Sequence, residues 1–172
     1  VQYSQYEGIH VGSGQHYAEG WLNTDILPTN AGKQPDVLAD IFDYPTVFPG
    51  KQFKKAYVGH VLEHLPLEIA PKALAIIAET VIGGGEIMVV GPCINRAIAT
   101  NQPESLIEGI KMSDDPEHPW AHSWTPTEEL TYQVVVDAGL SNVEIIDVRT
   151  VRRPQWPNPS TAAWQTAIRA TT

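Results

Sequence analysis

The chain carries six histidines, His10, His16, His60, His64, His118 and His122. Imidazole is the side chain best suited to proton transfer and metal binding near neutral pH. Two pairs stand four residues apart, His60/His64 and His118/His122. The segment His60-Val61-Leu62-Glu63-His64 matches the H-x-x-E-H string, in which two imidazoles on one helical face hold Zn²⁺ and the glutamate acts as base. Its setting argues against that use. The string begins at the end of an apolar, strand-like run, and Pro66 disfavours helical geometry at Leu65. Two other uses remain open. Glu63 and His64 can fix the loop by hydrogen bonds, or His60 or His64 can stand at a reaction centre as base or acceptor-positioning group.

A second constellation lies near the start. Gly12-Ser13-Gly14 directly follows the β-prone run Gly8–Val11. Glycines just past a strand let backbone N–H groups approach a ligand with no Cβ in the way. Asp25, near the end of the next strand, can accept both hydroxyls of a ribose. Asp40, after the third, can accept from an adenine amino group, with Ile26 and Ile41 against the base. The plainer reading is a tight turn with two solvent-facing acids. Asp25 follows Gly14 by only 11 residues, where a full crossover helix would put the acid ~20 residues on. The first crossover helix is therefore expected to be missing or cut to one turn. Without its N-terminus there is no ready seat for a pyrophosphate, so a ligand lacking phosphates fits better.

These residues need a scaffold. Strands are expected at Gly8–Val11, Trp21–Leu27, Asp36–Asp40, Lys55–Gly59, Glu86–Val90, Asn142–Thr150 and Ala163–Thr171. The fifth is introduced by Gly83-Gly84-Gly85. Apolar residues at Ile69, Leu74, Ile77, Ala78 and Val81 predict a helix over Glu68–Val81. A second helix is expected after an N-cap at Thr125, with Pro126 first in the helix, ending at Gly139. Alternating strands and helices imply a mostly parallel sheet with helical cover. The last two strands leave no room for a helix between them and should form an antiparallel hairpin.

In order and spacing, these segments resemble the class I S-adenosylmethionine (SAM)-dependent methyltransferases, most of all a short "type 11" group. The matching stretches are His10–Gly14 with Gly20–Ile26, Asp36–Ile41, Ala56–Leu65, Val81–Pro92, His122–Leu130 and Val136–Leu140, covering roughly residues 7 to 150. The resemblance implies a Rossmann-like three-layer α/β sandwich. Its sheet would be mostly parallel and seven-stranded, with a C-terminal antiparallel hairpin strand and a truncated first crossover helix. One domain would span residues 1–172. SAM is the implied cofactor: Gly12, Ser13 and Gly14 at its methionine part, Asp25 at the ribose, Asp40 and Ile41 at the adenine with Ile26 also facing the base, and Gly59 and His60 beside the sulfonium. His60 and His122 are the candidate catalytic groups, and no metal ligand is assigned. The long connection after the fifth strand would cover the acceptor, so His64, Trp120 and Trp124 are the candidate acceptor-binding residues.

Composition narrows the partners. The 172 residues carry 11 Lys+Arg against 20 Asp+Glu, a net charge of −9, a poor match for a nucleic-acid backbone. No apolar run approaches a membrane span, and Val1 to Gly8 lack a signal-peptide layout. The single cysteine, Cys93, cannot form an internal disulfide. Together with the resemblance, which implies methyl transfer to a small-molecule or glycan-type acceptor, the expectation is a cytoplasmic enzyme with neither nucleic acid nor membrane as partner. Two alternatives stand beside it: a non-catalytic cofactor-binding or scaffold module on the same fold and, more remotely, a zinc hydrolase using His60, Glu63 and His64.

Overall fold

The computed structural model describes residues 3–50, 52–102, 121–159 and 162–172. Seven strands form one sheet: β1 (Ile9–Val11), β2 (Leu22–Asp25), β3 (Val37–Leu38), β4 (Phe53–Gly59), β5 (Val81–Pro92), β6 (Ser141–Ile146) and β7 (Gln165–Thr171). Their order across the sheet is β3-β2-β1-β4-β5-β7-β6. The first five run parallel, and β7 lies antiparallel to both β5 and β6. The expected sheet and its C-terminal hairpin are thus present. Chain order reverses between β1 and β4, which creates a switch point at their carboxyl ends, where open α/β sheets bind ligands.

Side-chain alternation along the strands separates two cores. Ala56, Val58, Ile87 and Val89 pack on one face with Leu74 and Ile77 of helix α2 (Ala70–Glu79) and Val134 and Val135 of helix α4 (Glu128–Asp137). Short helices α1 (Tyr44–Val47) and α3 (Ile94–Ala99) complete the helical set among the described residues. Tyr57, Met88 and Val90 face the other way, against Trp21, Val148, Val151 and Trp156 from connecting segments. That layer is made of loops and one 3-10 turn, Val148–Thr150. No helix among the described residues is long and apolar enough to cross a membrane.

Several boundaries differ from expectation, each for a local reason. Helix α4 is capped by Thr127 instead of Thr125. The Thr127 hydroxyl accepts from Leu130 N–H at 3.1 Å, while the Pro126 carbonyl is taken by Ile94 N–H at 3.0 Å. Strand β5 runs through the three glycines instead of starting after them. The pairing with β4 slips between Phe53 and Lys55, and Gly84 takes φ +75 there. A Cβ on Gly85 would come within 2.6 Å of the Lys54 carbonyl oxygen. Strand β3 is only two residues long, because the Asp36 side chain is drawn back towards β2.

The first crossover contains no helix: residues 12–21 connect β1 to β2 directly. Backbone groups that a helix would satisfy internally need other partners, and Asn23 supplies them. Its Nδ2 donates to the Ala18 and Trp21 carbonyls at 2.9 and 2.7 Å and to Asp36 Oδ2 at 3.2 Å. Its Oδ1 accepts from Ala18 N–H at 2.8 Å and from His10 Nδ1–H at 3.0 Å. Asn23 is fully buried. Asn23→Leu leaves these groups unpaired and should cost roughly 2–4 kcal/mol of stability in urea unfolding. A loss below about 0.5 kcal/mol would show that the loop holds its shape without this residue.

Candidate functional site

The carboxyl ends of β1, β2 and β4 open onto a cavity of about 660 Å³, within the 300–1,000 Å³ range of small-molecule sites. All nine residues expected to hold a cofactor line it: Gly12, Ser13, Gly14, Asp25, Ile26, Asp40, Ile41, Gly59 and His60.

The glycine turn closes onto Asp25. Gly12 and Gly14 adopt φ +66 and +49, the left-handed region open to glycine at little cost. A Cβ on Gly12 would lie 2.3 Å from Val61 Cγ2. Gly14 N–H donates to Asp25 Oδ2 at 2.7 Å, and Leu27 N–H donates to Oδ1 at 3.2 Å. Asp25 thus braces the turn and still offers each oxygen a second lone pair. Asp40 caps a 3-10 turn, Ile41–Asp43, by accepting from Phe42 N–H at 2.9 Å. Phe42 and Ile26 remain 40% and 58% exposed and line the cavity with Ile41. These apolar surfaces border open space where a flat ring can lie.

His60 sits just past β4 with φ +57, held by its N–H to the Val90 carbonyl at 2.8 Å. Its Nε2 meets Gln165 Nε2 at 2.6 Å, so the ring nitrogen is the acceptor in that contact. Its Nδ1 lies 3.4 Å from Glu63 Oε1, an electrostatic contact without hydrogen-bond geometry. Burial pushes the Glu63 carboxyl up, but His60 and His64 outweigh burial and hold it below the usual range.

Four buried side-chain polar atoms lack a hydrogen-bond partner among the described residues: Ser13 Oγ, Tyr57 Oη, Glu63 Oε1 and Gln165 Oε1. Ser13, Tyr57 and Gln165 all line the cavity. Native buried polar groups are nearly always paired, so this clustering marks a place built to take a polar ligand.

The remaining expected residues are divided. His64 lines the cavity. His122 does not; its ring packs edge-on against His64, with centroids 5.0 Å apart. Trp124 is also absent from the lining. It packs on the helical core and donates its indole N–H to the Leu62 carbonyl at 3.1 Å, beside Ser123, which bonds the Glu63 and His64 carbonyls. Trp120 lies outside the described residues. The H-x-x-E-H string is not an α-helix. Only Leu62–His64 form a 3-10 turn and His60 is left-handed, so the helical face on which a zinc peptidase sets its two imidazoles is not formed.

The sequence reading missed Phe42, His16, Tyr57, Trp164 and Gln165. Trp164 packs edge-on to His60, with centroids 5.8 Å apart. Its signal was the antiparallel strand itself. Pro92 pairs with Gln165, so β7 delivers its first residue to the edge where parallel strands deliver their last.

His10, 2% exposed beneath the turn, is pushed down by burial from 6.5 to about 4. It is neutral at pH 7 and donates from Nδ1. Between those two values the unfolded chain binds a proton that the folded chain refuses, so stability rises with pH and is lost as pH falls from 6.5 towards 4. On this account the wild type should lose about 2–3 kcal/mol more than His10→Gln between pH 7 and pH 4.5 in denaturant titrations. Equal losses would mean that His10 does not couple folding to pH.

No protein-family model matches the sequence, and no curated protein matches it. Solved structures do. A SAM-dependent methyltransferase from Archaeoglobus fulgidus superposes with TM-score 0.66 at 18% identity, covering 99% of this chain and 89% of that one. A possible histamine N-methyltransferase from Thermotoga maritima gives 0.58 at 12% identity, over 96% and 82%. Human N-acetylserotonin methyltransferase, solved with SAM, gives 0.58 at 14% identity, over all of this chain and 49% of that one. The chain has the Rossmann-like fold of the class I SAM-dependent methyltransferases.

Proposed function

We propose that the protein binds SAM and transfers its methyl group to a small-molecule or glycan-type acceptor. One observation carries this reading: the glycine turn, Asp25 and the Ile26/Ile41/Phe42 surface converge on one cavity at the switch point. The residues fit the cofactor. At Gly12 a Cβ would run into Val61, so glycine keeps the turn close to the cavity, and the unpaired Ser13, Tyr57 and Gln165 atoms await polar partners. Asp25 would accept from the ribose hydroxyls, and Asp40 with Ile41 would border the adenine. When bound, the cofactor supplies an activated methyl on a cationic sulfur.

The protein's own part is positioning and dryness. Gly59 lets the chain approach closely, since a Cβ there would strike the Tyr57 ring at 2.4 Å. His60 is the imidazole at the cavity wall. Gln165 donates to its Nε2 and fixes the ring, so for His60 to act as base an acceptor that must lose a proton would have to displace Gln165 from that nitrogen. His122, outside the lining, is not carried forward as a base.

Calorimetric titration with S-adenosylhomocysteine tests the reading. Saturable binding is expected, weakened at least tenfold by Asp25→Ala through the loss of charge-assisted hydrogen bonds. Gly12→Ala should abolish binding while the protein stays folded. No heat at millimolar ligand would remove the basis for methyl transfer.

A further inference from the structure

We propose that Glu63, His64 and His122 form a binding site for a divalent transition cation of the Zn²⁺ class. One ligand atom from each lies within 4.8 Å of the others. Donors at about 2.1 Å on a tetrahedral ion stand about 3.4 Å apart, so the set must close by up to about 1.4 Å, which side-chain rotation can supply. Two imidazoles and a carboxylate are the donors of three-ligand zinc sites, which keep a further position open. Ca²⁺ and Mg²⁺ prefer all-oxygen sets.

Three features point to an ion. First, the Glu63 side chain is only 4% exposed, and its Oε1 has no hydrogen-bond partner. Its contact with His60 Nδ1, at 3.4 Å, makes no hydrogen bond, and a buried carboxylate oxygen left so is favoured by a bound cation. Second, His64 Nδ1 meets the Ala121 carbonyl at 3.3 Å. A carbonyl only accepts, so Nδ1 carries the hydrogen and the neutral ring's lone pair lies on Nε2. Metal-ligating histidines are oriented by this same kind of bond. Third, the two chain segments are stapled together. Ser123 N–H donates to the Glu63 carbonyl at 2.7 Å, Ser123 Oγ donates to the His64 carbonyl at 3.1 Å, and the Trp124 indole reaches Leu62. These bonds carry His122, 58 residues further along the sequence, to the side of His64.

This differs from the H-x-x-E-H arrangement: His60 is not a ligand, and Glu63 is a ligand rather than a base. It departs equally from the expectation that no metal is held. Because His64 also lines the cavity, the ion would stand at its rim. Its use in catalysis rests on the methyl-transfer reading: an acceptor oxygen on the open position would lose its proton more easily.

The test reads metal directly, with no cofactor present. Chelator-stripped full-length protein is titrated with Co²⁺ and followed by visible absorption, then with Zn²⁺ by calorimetry. One saturable equivalent is expected, with the band of low-coordinate Co²⁺ and displacement by Zn²⁺. His122→Ala and Glu63→Gln should each weaken binding by at least the ~10–100-fold cost of losing a metal-site partner, while His16→Ala binds as the wild type does. His122 is half-buried, so His122→Ala decides the question alone if Glu63→Gln fails to fold. No saturable binding, or unchanged affinity in His122→Ala, overturns the proposal. S-adenosylhomocysteine binding without metal binding would sink this site only, and the reverse would sink only the methyl-transfer reading.

Discussion

The fold depends on how one buried amide replaces a helix. A parallel βαβ unit normally satisfies its crossover backbone inside the helix. Here β1 passes to β2 through ten residues, and the Asn23 side chain takes over that task, tying together Ala18, Trp21, Asp36 and His10. Burying so polar a group is tolerable only because its hydrogen-bonding atoms are used. The consequence reaches the ligand edge. With the loop pinned beneath it, the glycine turn can lean on Asp25 through the Gly14 N–H bond, and the cavity mouth needs no helix N-terminus. A site shaped this way suits a ligand recognised by its ribose and base more than by phosphate.

Much of this was legible in the residues. The 11-residue gap from Gly14 to Asp25 foretold the missing helix, and the alternation of apolar runs with helical periods foretold the sheet. All nine expected cofactor positions converge because each lies at or just past the end of a parallel strand, where sequence and topology point to the same edge. Illegible were features set by pairing across long separations. Gln165 and Trp164 reach the site only because β7 runs backwards beside β5. Phe42 enters through a 3-10 turn whose cap, Asp40, reads as a strand end. The length of β5 depends on a register slip that no local pattern announces. Trp124 reads equally well as wall or as packing, and hydrogen bonding to Leu62 decides for packing.

The β4 loop shows how one short string can serve two neighbours. Its left-handed first residue sets His60 at the cavity against Gln165, while the 3-10 turn brings Glu63 and His64 beside His122, with His64 still lining the cavity. An α-helix through the same residues would have merged these two surfaces. Pro66, two residues past His64, keeps them apart by disfavouring helical geometry at Leu65.

The central claim is that a nucleoside-type cofactor occupies the switch-point cavity. Amide chemical shifts of ¹⁵N-labelled protein, followed while S-adenosylhomocysteine is added, test it most directly. The account predicts the largest changes at Gly12, Gly14, Ile41, Phe42 and Gly59, with β6 and the outer face of α2 unaffected. Changes confined to any other surface, or none at saturating ligand, would contradict it.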